Sequence, residues 1–343
     1  MTKAESDIIA LSPARRMMQF LWPAPHIAQA LYVVAKLGIA DLIKDGPVSA
    51  EQLACKTATN GRALYRVARA LTGIGVFEED EQGRFSNTAL SETLRSDHPE
   101  SIRASAIMMG APFLWRPWGD LLNSVTTGKP AFDRLFGQPF FAYLGTHPDD
   151  AAVFNAAMTA GASATSASVA EAYDFSGFDS VVDVGGGHGA LIKDILRKNP
   201  NLHGILFDLA EVVSGAADIL TDPEIRGRIE VIGGDFFREI PPASMYMIKG
   251  VLHDWSDADA LRILASCRRA IKPGGRLLII ESMLKPSNQP DPGKFMDLMM
   301  LILVNGRERS QSDFLALFQQ AGFSLTRTIP TSGPYTLVEA QPI

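Results

Sequence analysis

The sequence predicts an α/β fold: a mostly parallel sheet that closes in an antiparallel hairpin, preceded by a helical N-terminal module of winged-helix type. Three observations carry this expectation. From Phe178 onward, short β-branched runs alternate with helical stretches at separations that suit βαβ units. Near the C-terminus, FSLTRTIP and YTLVEAQP are parted only by residues 331–334, and strands joined so directly cannot both be parallel neighbours. Residues 25–95 read as three helices followed by a short hairpin.

A chain of 343 residues suits about two domains. Its 46% apolar and 20% charged content is ordinary for a globular protein and excludes bulk disorder. With 32 basic and 38 acidic side chains the net charge is −6, so there is no general attraction to nucleic acid or anionic membrane. Cys55 and Cys267 are the two cysteines, without CxxC spacing, which fits a reducing compartment and argues against a thiolate metal site or a disulfide scaffold. The start, MTKAESDIIALSPARRMMQ, lacks a basic segment leading into a continuous apolar run, and no apolar stretch reaches the ~18 residues of a membrane span. A cytoplasmic protein without a metal is expected.

Taken in order, HIAQALYVVAKLGIADLI has apolar residues at helical spacing, interrupted or ended at Gly38. Ser49 is a candidate N-cap for SAEQLACKTA, with Glu51 and Gln52 in its first turn. NGRALYRVARALTGIGVF is the next helix, closed by glycines, and VFEEDEQGRFSNTAL reads as a hairpin turning at Gly83. A DNA-binding winged helix would carry basic side chains along an exposed face. Here Arg62, Arg66 and Arg69 are interleaved with apolar residues, and an acidic run follows at residues 78–81. A packing or dimerising module is the better reading. Residues 96–175 are helical and rich in Met, Phe and Trp, which suits either core or a lid over an aromatic ligand. The expected domains are 1–100 (winged-helix-like, dimerising), 101–172 (helical linker and lid) and 173–343 (cofactor-binding sheet).

The sheet runs are DSVVDV, HGILFDL, IEVIGGDF, MYMIKGVL and GRLLIIES, with a helix near residues 311–321 before the final hairpin. The first run leads into Gly185-Gly186-Gly187-His188-Gly189, a cluster that lets backbone approach a ligand closely. Asp208, at the end of the second run, is placed to accept hydrogen bonds from both hydroxyls of a ribose. Together they indicate an adenosine-containing cofactor. Gly185-x-Gly187-x-x-Ala190 satisfies a dinucleotide fingerprint, so a nicotinamide enzyme stays open. The late position of the motif, the terminal hairpin and the pair Asp235–Phe236 favour S-adenosylmethionine instead, with Asp235 on the adenine amino group and Phe236 on its ring face.

With DVGGGHG, FDL, GGDFF, KGVLHDWSD and a later GRER segment, nearly the whole chain resembles the class I S-adenosylmethionine-dependent O-methyltransferases of the caffeate and hydroxyindole type. The resemblance implies a Rossmann-like methyltransferase sheet and an N-terminal dimerisation domain, hence a homodimer. It implies that Gly185 lies beside the methionine part of the cofactor, that Asp208 holds the ribose, and that Leu209, Asp235, Phe236 and Trp255 surround the adenine. Lys249 would border the cofactor. His253 would be the catalytic base, flanked by Glu281 and Glu308, with the same 28-residue interval (281 − 253) from His253 to Glu281 as in the plant enzymes. Phe154, Met158 and Met300 match substrate-lining positions.

The chemistry stands without the resemblance. A sulfonium methyl group is already activated, so the enzyme mainly aligns the attack and excludes water. A phenol, with a pKa near ~10, needs a base at neutral pH, and an imidazole backed by a carboxylate supplies one. Asp254 is expected in a structural role at the start of the next helix, and His188 as a cap. Gly250 stands where the plant enzymes commonly carry a bulky aromatic, so a phenylpropanoid substrate is not carried over; the RERS segment looks more like bacterial members. The expected substrate is a small aromatic molecule bearing a hydroxyl. The alternatives are the same fold with altered chemistry or N-methylation, a winged-helix ligand sensor without turnover, and a nicotinamide dehydrogenase.

Overall fold

Alternation along the strands sets the architecture, which we describe from a computed structural model covering residues 12–343. In Met245–Ile248 and Leu277–Ile280, successive side chains enter opposite hydrophobic clusters. Tyr246, Ile248, Leu277 and Ile279 fall on one face, and Met245, Met247, Leu278 and Ile280 on the other. A sheet buried on both faces needs strands that are apolar throughout, as these are.

Three short strands come first: β1 (Val48–Ser49), β2 (Phe77–Glu79) and β3 (Arg84–Asn87). They pair antiparallel in the order β1-β3-β2. Around them are helices Ala24–Lys36, Ala50–Thr57 and Gly61–Thr72. Ser49 does cap the second of these, in a reciprocal box with Gln52. Gly38, in left-handed conformation, ends the segment after the first. Val34, Ile39, Leu53, Leu64, Leu71, Phe77 and Phe85 form the core.

The main sheet contains β4 (Ser180–Val184), β5 (His203–Asp208), β6 (Ile229–Gly233), β7 (Ala243–Lys249), β8 (Ile271–Glu281), β9 (Phe323–Pro330) and β10 (Thr336–Pro342). Their order is β6-β5-β4-β7-β8-β10-β9. All pairs from β6 to β8 are parallel, while β10 runs antiparallel to both β8 and β9. The terminal hairpin expected from the short connection is therefore present. Strand order reverses between β4 and β7, and ligands of open α/β sheets bind beyond the carboxyl ends of the strands at such a switch point.

By contacts the chain forms two units. One ends at Trp115 and includes Ala152–Ala160; the other comprises Arg116–Ala151 and Gly161–Ile343. No helix among the described residues is long and apolar enough to cross a membrane.

Candidate active site

The glycine loop leaves β4 at Val184. Gly185 and Gly187 both have positive φ, at +71° and +59°, which L side chains rarely adopt. A methyl group on Gly185 would also sit 2.7 Å from a Val251 methyl, on the loop that leaves β7. The two loops at the switch point therefore pack directly. Space beside Gly187 is open, with no atom within 4 Å of where a Cβ would lie. Beneath the loop, Asp183 is fully buried, and burial, partly offset by Lys249, raises its carboxyl to about 7.

Asp208, ending β5, braces this loop. Its Oδ2 accepts the Gly187 N–H at 2.8 Å and its Oδ1 accepts the Leu209 N–H at 2.7 Å. Burial still pushes its carboxyl above the ordinary range. His188 lays its imidazole over Gly215. Leu209 is exposed. Asp235, after β6, accepts the Phe237 N–H at 2.9 Å. The Trp255 indole meets Phe237 edge-on at 4.7 Å and Phe236 at 6.0 Å, so two of the residues expected around adenine, Phe236 and Trp255, share one aromatic cluster with Phe237. Lys249 ends β7 with its Nζ 4.9 Å from the Tyr335 ring centre.

His253 sits in a single 3-10 turn, Leu252–Asp254, just beyond β7. Its Nδ1 lies 2.8 Å from Glu308 Oε1. Its backbone N–H donates to Glu281 Oε1 at 3.0 Å. The two glutamates thus do different things: Glu308 holds the ring, and Glu281, at the end of β8, holds the chain. Glu308 is itself held, its backbone N–H donating to Asp297 at 2.9 Å. The remaining oxygens of both glutamates are buried without a hydrogen-bond partner among the described residues.

The expectation for Asp254 needs correcting. The following helix begins at Asp257 with Ser256 as its cap, so Asp254 does not start it. Its carboxylate faces the histidine ring, with Oδ1 3.6 Å from Nε2. Burial raises Asp254 to about 6, against the opposing pull of His253. Glu281 is raised to about 7 by burial and by Glu308, again opposed by His253. Burial alone would lower the His253 pKa, but Asp254, Glu308 and Glu281 outweigh it and lift the ring to about 10.

This fixes the sense of a pH dependence. If the imidazole serves as a base it must be unprotonated, and activity is then expected to rise from neutral into alkaline pH as the ring is freed. Glu308→Gln removes one of the groups that raise it and should move that rise to lower pH. Paired pH–rate profiles check this; a shift to higher pH would contradict it.

Among the substrate-lining expectations, Phe154 and Met158 lie one turn apart on helix Pro148–Ala172, in the stretch that belongs with the N-terminal unit. Met158 is exposed. Met300 is buried on helix Gly293–Leu303 of the other unit. Sequence reasoning missed Gly306 and Arg309. A methyl group on Gly306 would overlap the His253 carbonyl oxygen and sit 2.7 Å from the Trp255 nitrogen. Arg309 has no exposed side-chain surface. In sequence both belong to what looks like a solvated run, and only the short repeat of charges in GRER marked the segment. Among the described residues no group of three or more side chains could hold a metal.

Comparison with known proteins adds the following. Residues 118–324 match the O-methyltransferase domain family, and residues 24–97 match the O-methyltransferase dimerisation domain. The chain is 43% identical to a phenazine O-methyltransferase of Lysobacter antibioticus, over 92% of this chain and 93% of that one. It is 38% identical to a mitomycin biosynthesis 6-O-methyltransferase of Streptomyces lavendulae, over 91% and 90%. Among solved structures, an O-methyltransferase from neocarzinostatin biosynthesis, in complex with S-adenosylmethionine and 2-hydroxy-5-methyl naphthoic acid, aligns with a TM-score of 0.82. It is 32% identical, covering 92% of this chain and 96% of that one.

Proposed function

The chain belongs to the O-methyltransferase family, and on that premise we propose that it moves a methyl group from S-adenosylmethionine to a phenolic hydroxyl of a small aromatic metabolite, with His253 as the general base. The observation that carries the reading is the 2.8 Å contact between His253 Nδ1 and the buried Glu308 carboxylate. A carboxylate there keeps the proton on Nδ1 and leaves Nε2 as the acceptor, beside Asp254.

The donor fits the residues at the switch point. Asp208 offers a carboxylate for a ribose diol, open space beside Gly187 admits a ligand to the loop backbone, and Leu209, Phe236 and Trp255 offer apolar surface for a purine. Asp235 would take the adenine amino group, and Gly185 and Lys249 would border the rest. Bound there, S-adenosylmethionine supplies an activated methyl group that needs no further electrophilic help. The protein's task is then to orient the acceptor, keep water out and receive one proton. Nε2 takes the phenol proton as the oxygen becomes nucleophilic, and Glu308 and Asp254 stabilise the resulting imidazolium. Glu281 keeps the turn that carries the ring in place.

Met300, buried on helix Gly293–Leu303, would line the acceptor site in this reading. The mitomycin, phenazine and naphthoate chemistry named for the relatives supports an aromatic acceptor. The dimerisation domain supports a homodimer, formed through the N-terminal module. Two free cysteines fit the cytoplasm.

Calorimetric titration tests the cofactor assignment. S-adenosylmethionine and S-adenosylhomocysteine should bind and NAD(H) should not; binding of NAD(H) alone would overturn the reading. In the same experiment Asp208→Ala should weaken S-adenosylhomocysteine binding by about 10- to 100-fold, the value of charged hydrogen bonds lost together with the support of the loop. Unchanged affinity would remove Asp208 from the site.

A further inference from the structure

We propose that Arg309 is a positioning residue for methyl transfer, acting through His253 by clamping the turn that carries the imidazole. The inference rests on the reading of His253 as base.

Arg309 Nη1 donates to the Leu252 carbonyl at 2.6 Å, and Nη2 donates to the Trp255 carbonyl at 3.0 Å. These two residues bracket His253 and Asp254, so one guanidinium closes the turn from both ends. Asp257 Oδ1 orients the fork, accepting from Nε at 3.1 Å and Nη2 at 2.8 Å. The Arg309 backbone is fixed as well: its carbonyl accepts the Leu284 N–H at 3.0 Å, and it forms a parallel bridge with Met283, two residues beyond Glu281. Glu308 and Arg309 therefore act on the same turn, one on the ring and the other on its main chain.

An arginine suits this place for a reason of geometry. Its planar fork reaches two carbonyls and a carboxylate together, whereas a lysine ammonium is a single point on a flexible stem. The ion pair with Asp257 is not by itself an explanation, because the Asp257 carboxylate is half exposed and such a pair contributes little net stability. What the pair does secure is the direction of the remaining donors, and these point at the catalytic turn.

The test compares Arg309→Lys, Asp257→Asn and His253→Ala with the unaltered protein. Each is assayed with an accepted phenol and with its ring-nitrated analogue, which is already ionised at the assay pH. S-adenosylhomocysteine affinity and Tm are measured alongside. Arg309→Lys should keep its cofactor affinity and lower kcat on the parent phenol by about 10²-fold, with the loss falling below about tenfold on the nitrated one. Asp257→Asn, which leaves the guanidinium but loosens its orientation, should give a weaker version of the same acidity-dependent pattern, and it decides the matter if Arg309→Lys does not fold. Losses equal on both phenols, or full activity in a folded Arg309→Lys protein, would overturn the role. If His253→Ala itself lacks the acidity dependence, the base assignment fails instead, and the two failures are told apart.

Discussion

Replacing His253 by alanine is expected to lower methyl transfer to a phenol by about 10²–10⁴-fold, the usual contribution of a positioned general base, while S-adenosylhomocysteine still binds normally. The split follows from where the side chain lies. His253 is past the end of β7, its ring is held by Glu308, and its backbone is held by Glu281. None of these bonds involves the glycine loop or Asp208, which rest on one another through the Gly187 N–H. On the proposed reading, removing the imidazole therefore takes away the proton acceptor and leaves the residues proposed for the cofactor supported. Steady-state kinetics and calorimetry on the same preparation check this. Parallel loss of activity and affinity would mean that the histidine serves the fold rather than the reaction.

Gly306→Ala is expected to be nearly as damaging, although the residue has no side chain to take part in the reaction. An added methyl group would collide with main-chain atoms of His253, Asp254 and Trp255, and none of these can swing aside as a flexible side chain can. Either the Gly306 segment or the catalytic turn must move. Moving the segment shifts Glu308, two residues on; moving the turn shifts the imidazole. Displacements of about 1 Å at reacting groups cost on the order of 10² in rate. The expected outcome is a loss of that size in kcat together with a lowered Tm. A variant with full activity would show that the turn tolerates displacement.

The sheet was legible because its strands are short, β-branched and separated by helical stretches, and because two strands joined by four residues leave no room for a parallel crossover. The N-cap at Ser49 and the turn at Gly83 were legible for a similar reason, since each depends on residues close in sequence. The site was only half legible. Asp208 could be located as the acid ending the second strand, but its grip on the glycine loop depends on the register of β4 with β5. Asp254 was misplaced because an acid just ahead of a helical stretch reads as a helix start, whereas Ser256 takes that cap and frees Asp254 to face the ring. Glu308 and Arg309 look like an ordinary charged run. That one meets His253 and the other is wholly buried follows from Gly306, whose missing side chain lets the segment lie directly against the turn.

The central claim is that a methyl group goes to a phenolic oxygen whose proton His253 receives. Incubating the protein with methyl-labelled S-adenosylmethionine and a panel of hydroxylated and aminated aromatics, then locating the label by NMR, tests it most directly. The expected result is a labelled methyl ether, formed by the unaltered protein and lost in His253→Ala. Label on nitrogen, or no transfer to any acceptor by a protein that binds the donor, would contradict it.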